Sequence, residues 1–250
     1  MIKKIQVRLI LNMPLIFCSL FFTLFSTQLN AASKLVINTG SQEPYITANG
    51  GGFYGQIVKE IFKRLGIEAK TISLPSQRSL INANNGIDDG NIARIKGLEK
   101  KYPNLVRVPG KIIDFEFVVF SSGPEFNVDG WDSLKPYSIG HIKGWQILEK
   151  KVTSTQEVLK LRTAHQLFNL INTKRIDLII YERWGSLWWV KKIKPDITQL
   201  QPALAKRELF MYLHKKHSSL VPEAAQALAN MKNDGTYQRI FNNTLSVLLK

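Results

Sequence analysis

Leu35-Val36-Ile37-Asn38-Thr39, followed by Gly52-Phe53-Tyr54-Gly55-Gln56-Ile57-Val58-Lys59-Glu60-Ile61-Phe62-Lys63-Arg64-Leu65-Gly66, is the stretch on which the fold turns. The first five residues are an apolar run ended by Gly40, the pattern of a buried strand. In the second segment Ile57, Val58, Ile61, Phe62 and Leu65 recur at helical spacing, and Gly66 stands where a helix C-terminus favours a residue free to take positive φ. Between the two lies a loop with Pro44, Asn49 and three consecutive glycines.

Outward from this core the same alternation continues. Lys70 to Leu74 reads as a second strand, stopped by Pro75, and Arg78 to Asn84 as a helix with Leu80 and Ile81 turned inward, closed by Asn85-Gly86. Strand, helix, strand, helix at this spacing is the mark of βαβ units in an α/β sheet. Phe115 to Ser121 is a strongly apolar strand, after which Ser122-Gly123-Pro124 breaks the chain. The pattern then restarts. A helical turn at Trp131-Asp132-Ser133-Leu134 precedes a strand over Tyr137 to His141 and a loop at Lys143-Gly144-Trp145. A helix over Thr163 to Thr173, a strand over Asp177 to Tyr181 and an aromatic helix over Glu182 to Lys192 follow. Gln201 to Lys206 reads as a connection, Glu208 to Leu213 as a strand, Pro222 to Lys232 as an Ala-rich helix, and a final helix starts at Asp234-Gly235-Thr236-Tyr237 and ends near Leu249. There is no internal repeat at solenoid periods and no low-complexity tract. The expectation is two α/β lobes. Residues 33–122 and 205–250 form a discontinuous first lobe, and residues 123–204 form the second.

The N-terminus has the three-part order of a cleaved secretory signal over residues 1–32. Lys3, Lys4 and Arg8 are positive, Leu9 to Phe25 is mostly apolar, and Asn30-Ala31-Ala32-Ser33 is small and polar. Asn12 and Pro14 interrupt the apolar run, which argues against an uncleaved anchor of about 20 apolar residues. Cys18 is the single cysteine and lies inside this signal, with Phe17 where a lipoprotein signal needs a small residue. A mature chain of about 218 residues then has no thiol, which excludes disulfides, thiolate metal sites and a cysteine nucleophile. The full chain carries 34 Lys+Arg against 19 Asp+Glu. Without the three signal cations 31 remain against 19, a balance of +12. The cations are dispersed in short pairs such as Lys191-Lys192 and Lys215-Lys216, which reads as solvated surface, with one or two cations left for an acidic ligand and no nucleic-acid partner.

The order of motifs resembles the family 3 periplasmic solute-binding proteins, the type II fold of polar amino-acid transport, over essentially the whole mature chain. The motifs are Pro44-Tyr45, the helix entry Gly52-Phe53-Tyr54-Gly55, the turn Asn85-Gly86-Ile87-Asp88 and its counterpart Lys174-Arg175-Ile176-Asp177. Leu220-Val221-Pro222 and Asn233-Asp234-Gly235-Thr236-Tyr237 close the series. The resemblance implies a central cleft between lobes, with a first-lobe Arg on a ligand carboxylate and a second-lobe acid on an ammonium. Counting five residues from Asp177 gives Glu182 for the acid, one methylene longer than the usual Asp. The family's Thr-x-x-Arg segment is absent, and Lys100 and Lys101 stand there, which puts an α-amino acid ligand in doubt. Arg94, just past the third strand, and Arg78, at a helix start, replace it as candidates, since a guanidinium fork suits a carboxylate better than an ammonium does. Tyr45 and Tyr54 flank the glycine-rich loop and can offer aromatic faces. Gly144 occupies the loop where the family offers backbone N–H groups to an anion, and Trp145 can cap the cleft. Trp184, Trp188 and Trp189 read mainly as core or interface.

No phosphate loop, no Gly-x-Ser-x-Gly and no His-Glu-x-x-His occurs. His214 and His217 have no third ligand near them in sequence, and Asp88-Asp89 is explained by a turn. No catalytic residue, metal or cofactor is therefore assigned. The expected function is reception of a small polar, carboxylate-bearing molecule such as an amino acid. A monomer in the periplasm would deliver it to an ABC permease. Alternatives are a ligand sensor for a membrane receptor and, as an enzyme, a cyclohexadienyl dehydratase-like protein in which Glu182 is a general acid.

Overall fold

The computed structural model describes residues 34–153 and 155–250. Residues 1–32, read above as a secretory signal, lie outside the described residues, and within the described residues no helix is long and apolar enough to cross a membrane. The first part runs β1 (Leu35–Thr39), α1 (Gly52–Arg64), β2 (Ala69–Ser73), α2 (Ser76–Asn84), β3 (Gly90–Ile95), β4 (Leu105–Arg107) and β5 (Ile113–Ser121). Next come β6 (Ser138–Ile142), α3 (Gln146–Lys151), β7 (Glu157–Leu161), α4 (Ala164–Asn172), β8 (Leu178–Glu182) and α5 (Arg183–Ile193). The long β9 (Thr198–His214), α6 (Leu220–Asn233) and α7 (Thr236–Thr244) complete the fold. The strands form one curled sheet in the order β2-β1-β3-β9-β5-β8-β6-β7, with β4 paired to β9.

Two strands carry the chain between the halves. β9 pairs antiparallel with β3 through Leu209 to Leu213 and with β5 through Thr198 to Leu209. β5 also pairs with β8, placing Phe117 opposite Glu182. The continuous apolar run in β5 follows from burial on both faces. Phe117 and Val119 pack with Ile139, Leu148 and Ile180 on one side, while Val118 and Phe120 pack with Leu167, Phe168 and Ile171 on the other, the period-two alternation of a strand. The first half has its main core under α1, α6 and α7, where Phe53, Ile57, Ile61 and Phe62 meet Ile37, Ile92, Met211 and Leu228.

The structure corrects four local expectations. Gln201 to Lys206 is part of β9 rather than a connection. The β5–β9 register jumps between the pairs Phe117–Ala205 and Val119–Leu200, so Pro202, which has no N–H to donate, sits inside an irregularity. Ile81 does not turn inward: it is 44% exposed, and α2 instead buries Ser79 and Ala83. Arg94 lies within β3, not past it, and the last helix stops at Thr244, followed by a short 3-10 turn over Ser246–Leu249.

Candidate functional site

Glu182 ends β8 and starts α5. As the N-cap residue it folds its carboxylate back to accept from the Trp184 N–H (3.0 Å) and the Gly185 N–H, satisfying two orphan donors of the first turn. Gly185 is required here, because a Cβ at that position would overlap Glu182 Oε1. A third donor comes from the other half of the molecule, the Tyr45 hydroxyl, which bonds Glu182 Oε2. Both side chains are buried, at 3% and 4% exposure. Burial pushes the Glu182 carboxyl up to about 7 against these three donors, and burial beside the Glu182 charge holds the Tyr45 phenol well above its usual value, so it stays a donor.

The loop that presents Tyr45 is built around glycine. Gly52 has φ +79°, and a Cβ there would come within 2.7 Å of the Pro44 and Tyr45 backbone, while the Tyr54 N–H donates to the Tyr45 carbonyl (2.8 Å). Tyr45 and Tyr54 stack with centroids 4.5 Å apart and planes 10° from parallel. The buried Tyr54 hydroxyl, near Ser41 and Arg94, has no hydrogen-bond partner of normal geometry among the described residues.

Arg94 is aimed by a β-bulge. Ile92 pairs with Met211 and Arg94 with Phe210, leaving Ala93 as the extra residue at φ +70°. The bulge turns Arg94 to the face of Asn91 rather than the core face of Ile92. Its Nε donates to Asn91 Oδ1 (2.7 Å), Nη1 to Ser76 Oγ (3.0 Å), and Nη2 to Ser76 O (3.2 Å) and Ser79 Oγ (2.5 Å). All four acceptors are neutral. The nearest carboxylate in this chain of bonds is Asp88, two amides away, since Asn91 donates to Asn38 and Asn38 donates to Asp88 Oδ2 (2.6 Å). Burial lowers the guanidinium to about 10, and no carboxylate among the described residues pairs with it. Sequence reading does not reach Asn38, Ser79 or Asn91 as its supports. Their only trace there is polar residues inside elements otherwise expected to be apolar.

The remaining candidates are placed differently. Arg78 is exposed on the first turn of α2 and makes no ion pair among the described residues. Gly144, at φ +87°, is exposed, and its N–H donates to Glu149 Oε1 (2.8 Å). Trp145 stacks on Tyr181 (4.9 Å, 15°) and meets Phe115 and Phe117 edge-on. Tyr45, Tyr54 and Glu182 thus form one buried group at the seam between the halves, with Arg94 beside Tyr54, while Gly144 and Arg78 lie on exposed surface. Among the described residues no cluster of three His, Cys, Asp or Glu is arranged to hold a metal. His217 instead bonds Asp89 (2.7 Å), and the His214 ring accepts from the Lys216 N–H (3.2 Å).

No known family profile matches the chain. An uncharacterized protein of Shewanella oneidensis is 25% identical over 189 residues, covering 70% of this chain and 69% of its own. Among solved structures, the GluR0 ligand-binding core of Nostoc punctiforme in complex with L-glutamate has a TM-score of 0.69 at 20% identity, covering 84% of this chain and 98% of that one. An ancestral arginine-binding protein bound to arginine has a TM-score of 0.70 at 18% identity, covering 84% and 97%. The substrate-binding protein of an amino acid ABC transporter reaches 0.66 at 18% identity, covering 85% and 99%. At these identities the likeness is one of fold: the mixed α/β chain has the two-lobed type II periplasmic binding protein fold.

Proposed function

We propose that this chain is a solute-binding protein that takes a small polar, carboxylate-bearing molecule such as an amino acid between its two lobes. It would hand the molecule, as an exported periplasmic monomer, to an ABC permease. The observation that carries the reading is the buried Tyr45–Glu182 bond, which joins side chains from opposite halves and exists only while the halves are together. A ligand that makes the same bridging contacts shifts the balance between open and closed forms. In this reading Arg94, desolvated and without an anionic partner, takes the ligand carboxylate. Glu182 exchanges the Tyr45 hydroxyl for a ligand donor, Tyr54 and Trp145 wall the cleft, and Arg78 and Gly144 serve its rim. Glu182 faces donors only, with no imidazole or second carboxylate bonded to it, which favours binding over turnover.

The solved neighbours described as amino-acid and ABC-transporter binding proteins support this reading. A second reading, a ligand sensor read by a membrane receptor, would use the same closure. Calorimetry with amino-acid and small-acid panels, combined with small-angle scattering, tests the proposal. Binding accompanied by a fall in the radius of gyration is expected. A proven ligand that leaves the dimensions unchanged removes the closure mechanism, and prephenate turnover by the purified protein would replace binding with catalysis.

A further inference from the structure

A cavity of about 670 Å³ opens beside the seam, between the loop that follows β1, the end of β2 and the middle of α5. Its size is in the range of about 300–1,000 Å³ typical of small-molecule sites. It is lined from one half by Glu43 and Thr71 and from the other by Tyr181, Trp188, Trp189 and Lys192. None of these is Arg94 or Glu182, whose hydrogen bonds run to other groups of the protein.

Three observations bear on what the cavity can hold. Thr71, which lines the cavity, is 4% exposed, and its buried hydroxyl has no hydrogen-bond partner among the described residues. Trp188 and Trp189 stand at 90° to each other with centroids 5.0 Å apart, and Trp189 is braced by a stack on Phe168 (6.0 Å, 17°). The Lys192 ammonium lies 4.5 Å from the Trp188 ring centre and 5.2 Å from that of Trp189, held at the aromatic corner with no ion-pair partner among the described residues.

We propose that this cavity is a binding site for an aromatic carboxylate carrying a hydroxyl or amino group on its opposite edge. The carboxylate pairs with Lys192, the ring packs against the Trp188 face, and the distal polar group satisfies the Thr71 hydroxyl and the Glu43 carboxylate. The site draws on both halves but needs neither Arg94 nor Glu182, so it stands apart from the seam chemistry.

Titration of the purified protein with 4-hydroxybenzoate, followed by calorimetry and tryptophan fluorescence, tests this. Saturable binding is expected. The neutral isostere 4-hydroxybenzamide should bind about tenfold more weakly, and Lys192→Gln should erase the difference between acid and amide. Trp188→Ala and Thr71→Val should each weaken binding, and circular dichroism establishes that each variant is folded. If Trp188→Ala does not fold, Lys192→Gln, which changes an exposed side chain, still decides. Absence of saturable binding at millimolar 4-hydroxybenzoate overturns the proposal, as does binding that Lys192→Gln leaves unaltered. L-Glutamate and L-arginine titrations run alongside report on the seam. Binding of either of these without binding of 4-hydroxybenzoate sinks the aromatic site alone and leaves the seam reading standing.

Discussion

The Tyr45 hydroxyl donates to the carboxylate of Glu182 across 137 residues of sequence, and both groups are buried where the two halves of the molecule meet. One partner leaves a glycine-shaped loop and the other caps a helix, so neither is free to move far on its own element. The bond therefore reports on the position of one half relative to the other.

Tyr45→Phe removes this donor while keeping the stack on Tyr54. The hydrogen bond to a charged partner is worth roughly 1.5–3 kcal/mol, and a loss of that order is expected in urea unfolding at pH 8. The same substitution in a Glu182→Gln background should cost clearly less. Equal losses in both backgrounds would show that the two side chains are not coupled.

Glu182 makes stability depend on pH. Burial raises its folded-state value to about 7, above an unfolded value near 4.5, so the folded form holds the extra proton between them. The contribution is complete below the unfolded value and lost as pH rises through 7. Glu182→Gln removes the titrating group and should flatten that pH dependence. The difference in slope, up to about 3 kcal/mol between acid and alkaline pH, is read from unfolding midpoints at several pH values.

His141 acts in the opposite direction. It is fully buried in β6, where Nδ1 donates to the Ile142 carbonyl (3.0 Å) and Nε2 has no partner among the described residues. Burial holds the imidazole below its usual value, outweighing the Ile142 bond, with Lys160 lowering and Glu149 raising it further. Its contribution is complete above the unfolded value of about 6.5 and declines as pH falls below it. His141→Phe should lessen the decline in melting temperature that sets in below about pH 6.5, ahead of the losses from Asp89, Asp114 and Asp234, and Glu182→Gln should leave that early decline in place.

Gly185→Ala should dismantle the Glu182 cap, because the new methyl overlaps Oε1 and presses on the Tyr181 ring. A loss of roughly 1–3 kcal/mol is expected. The Tyr45→Phe penalty should shrink in this background, since Glu182 no longer meets the phenol. Ala93→Val tests the bulge in a similar way. A β-branched residue at φ +70° costs roughly 1–3 kcal/mol, seen as a lowered unfolding midpoint.

Much of the fold is legible in the chain because periodicity is local. The helix over α1, the buried strand at β5 and the capping signal at Thr163, where Thr163 and Gln166 form a capping box, follow from residues within a few positions of one another. The two-lobed α/β plan follows from their order. The sequence points to Tyr45 and Glu182 separately, yet nothing in it joins them.

What tertiary structure alone decided is where pairing departs from regularity. The bulge at Ala93 turns Arg94 to the Asn91 face, the register jump at Pro202 lets one strand run through both halves, and the packing of α5 puts Trp188 and Lys192 on a cavity rather than in a core. Hydrophobic periodicity records only which face of an element is buried. A one-residue slip in register, or a partner more than a hundred residues away, leaves that periodicity unchanged while moving every side chain that does chemistry.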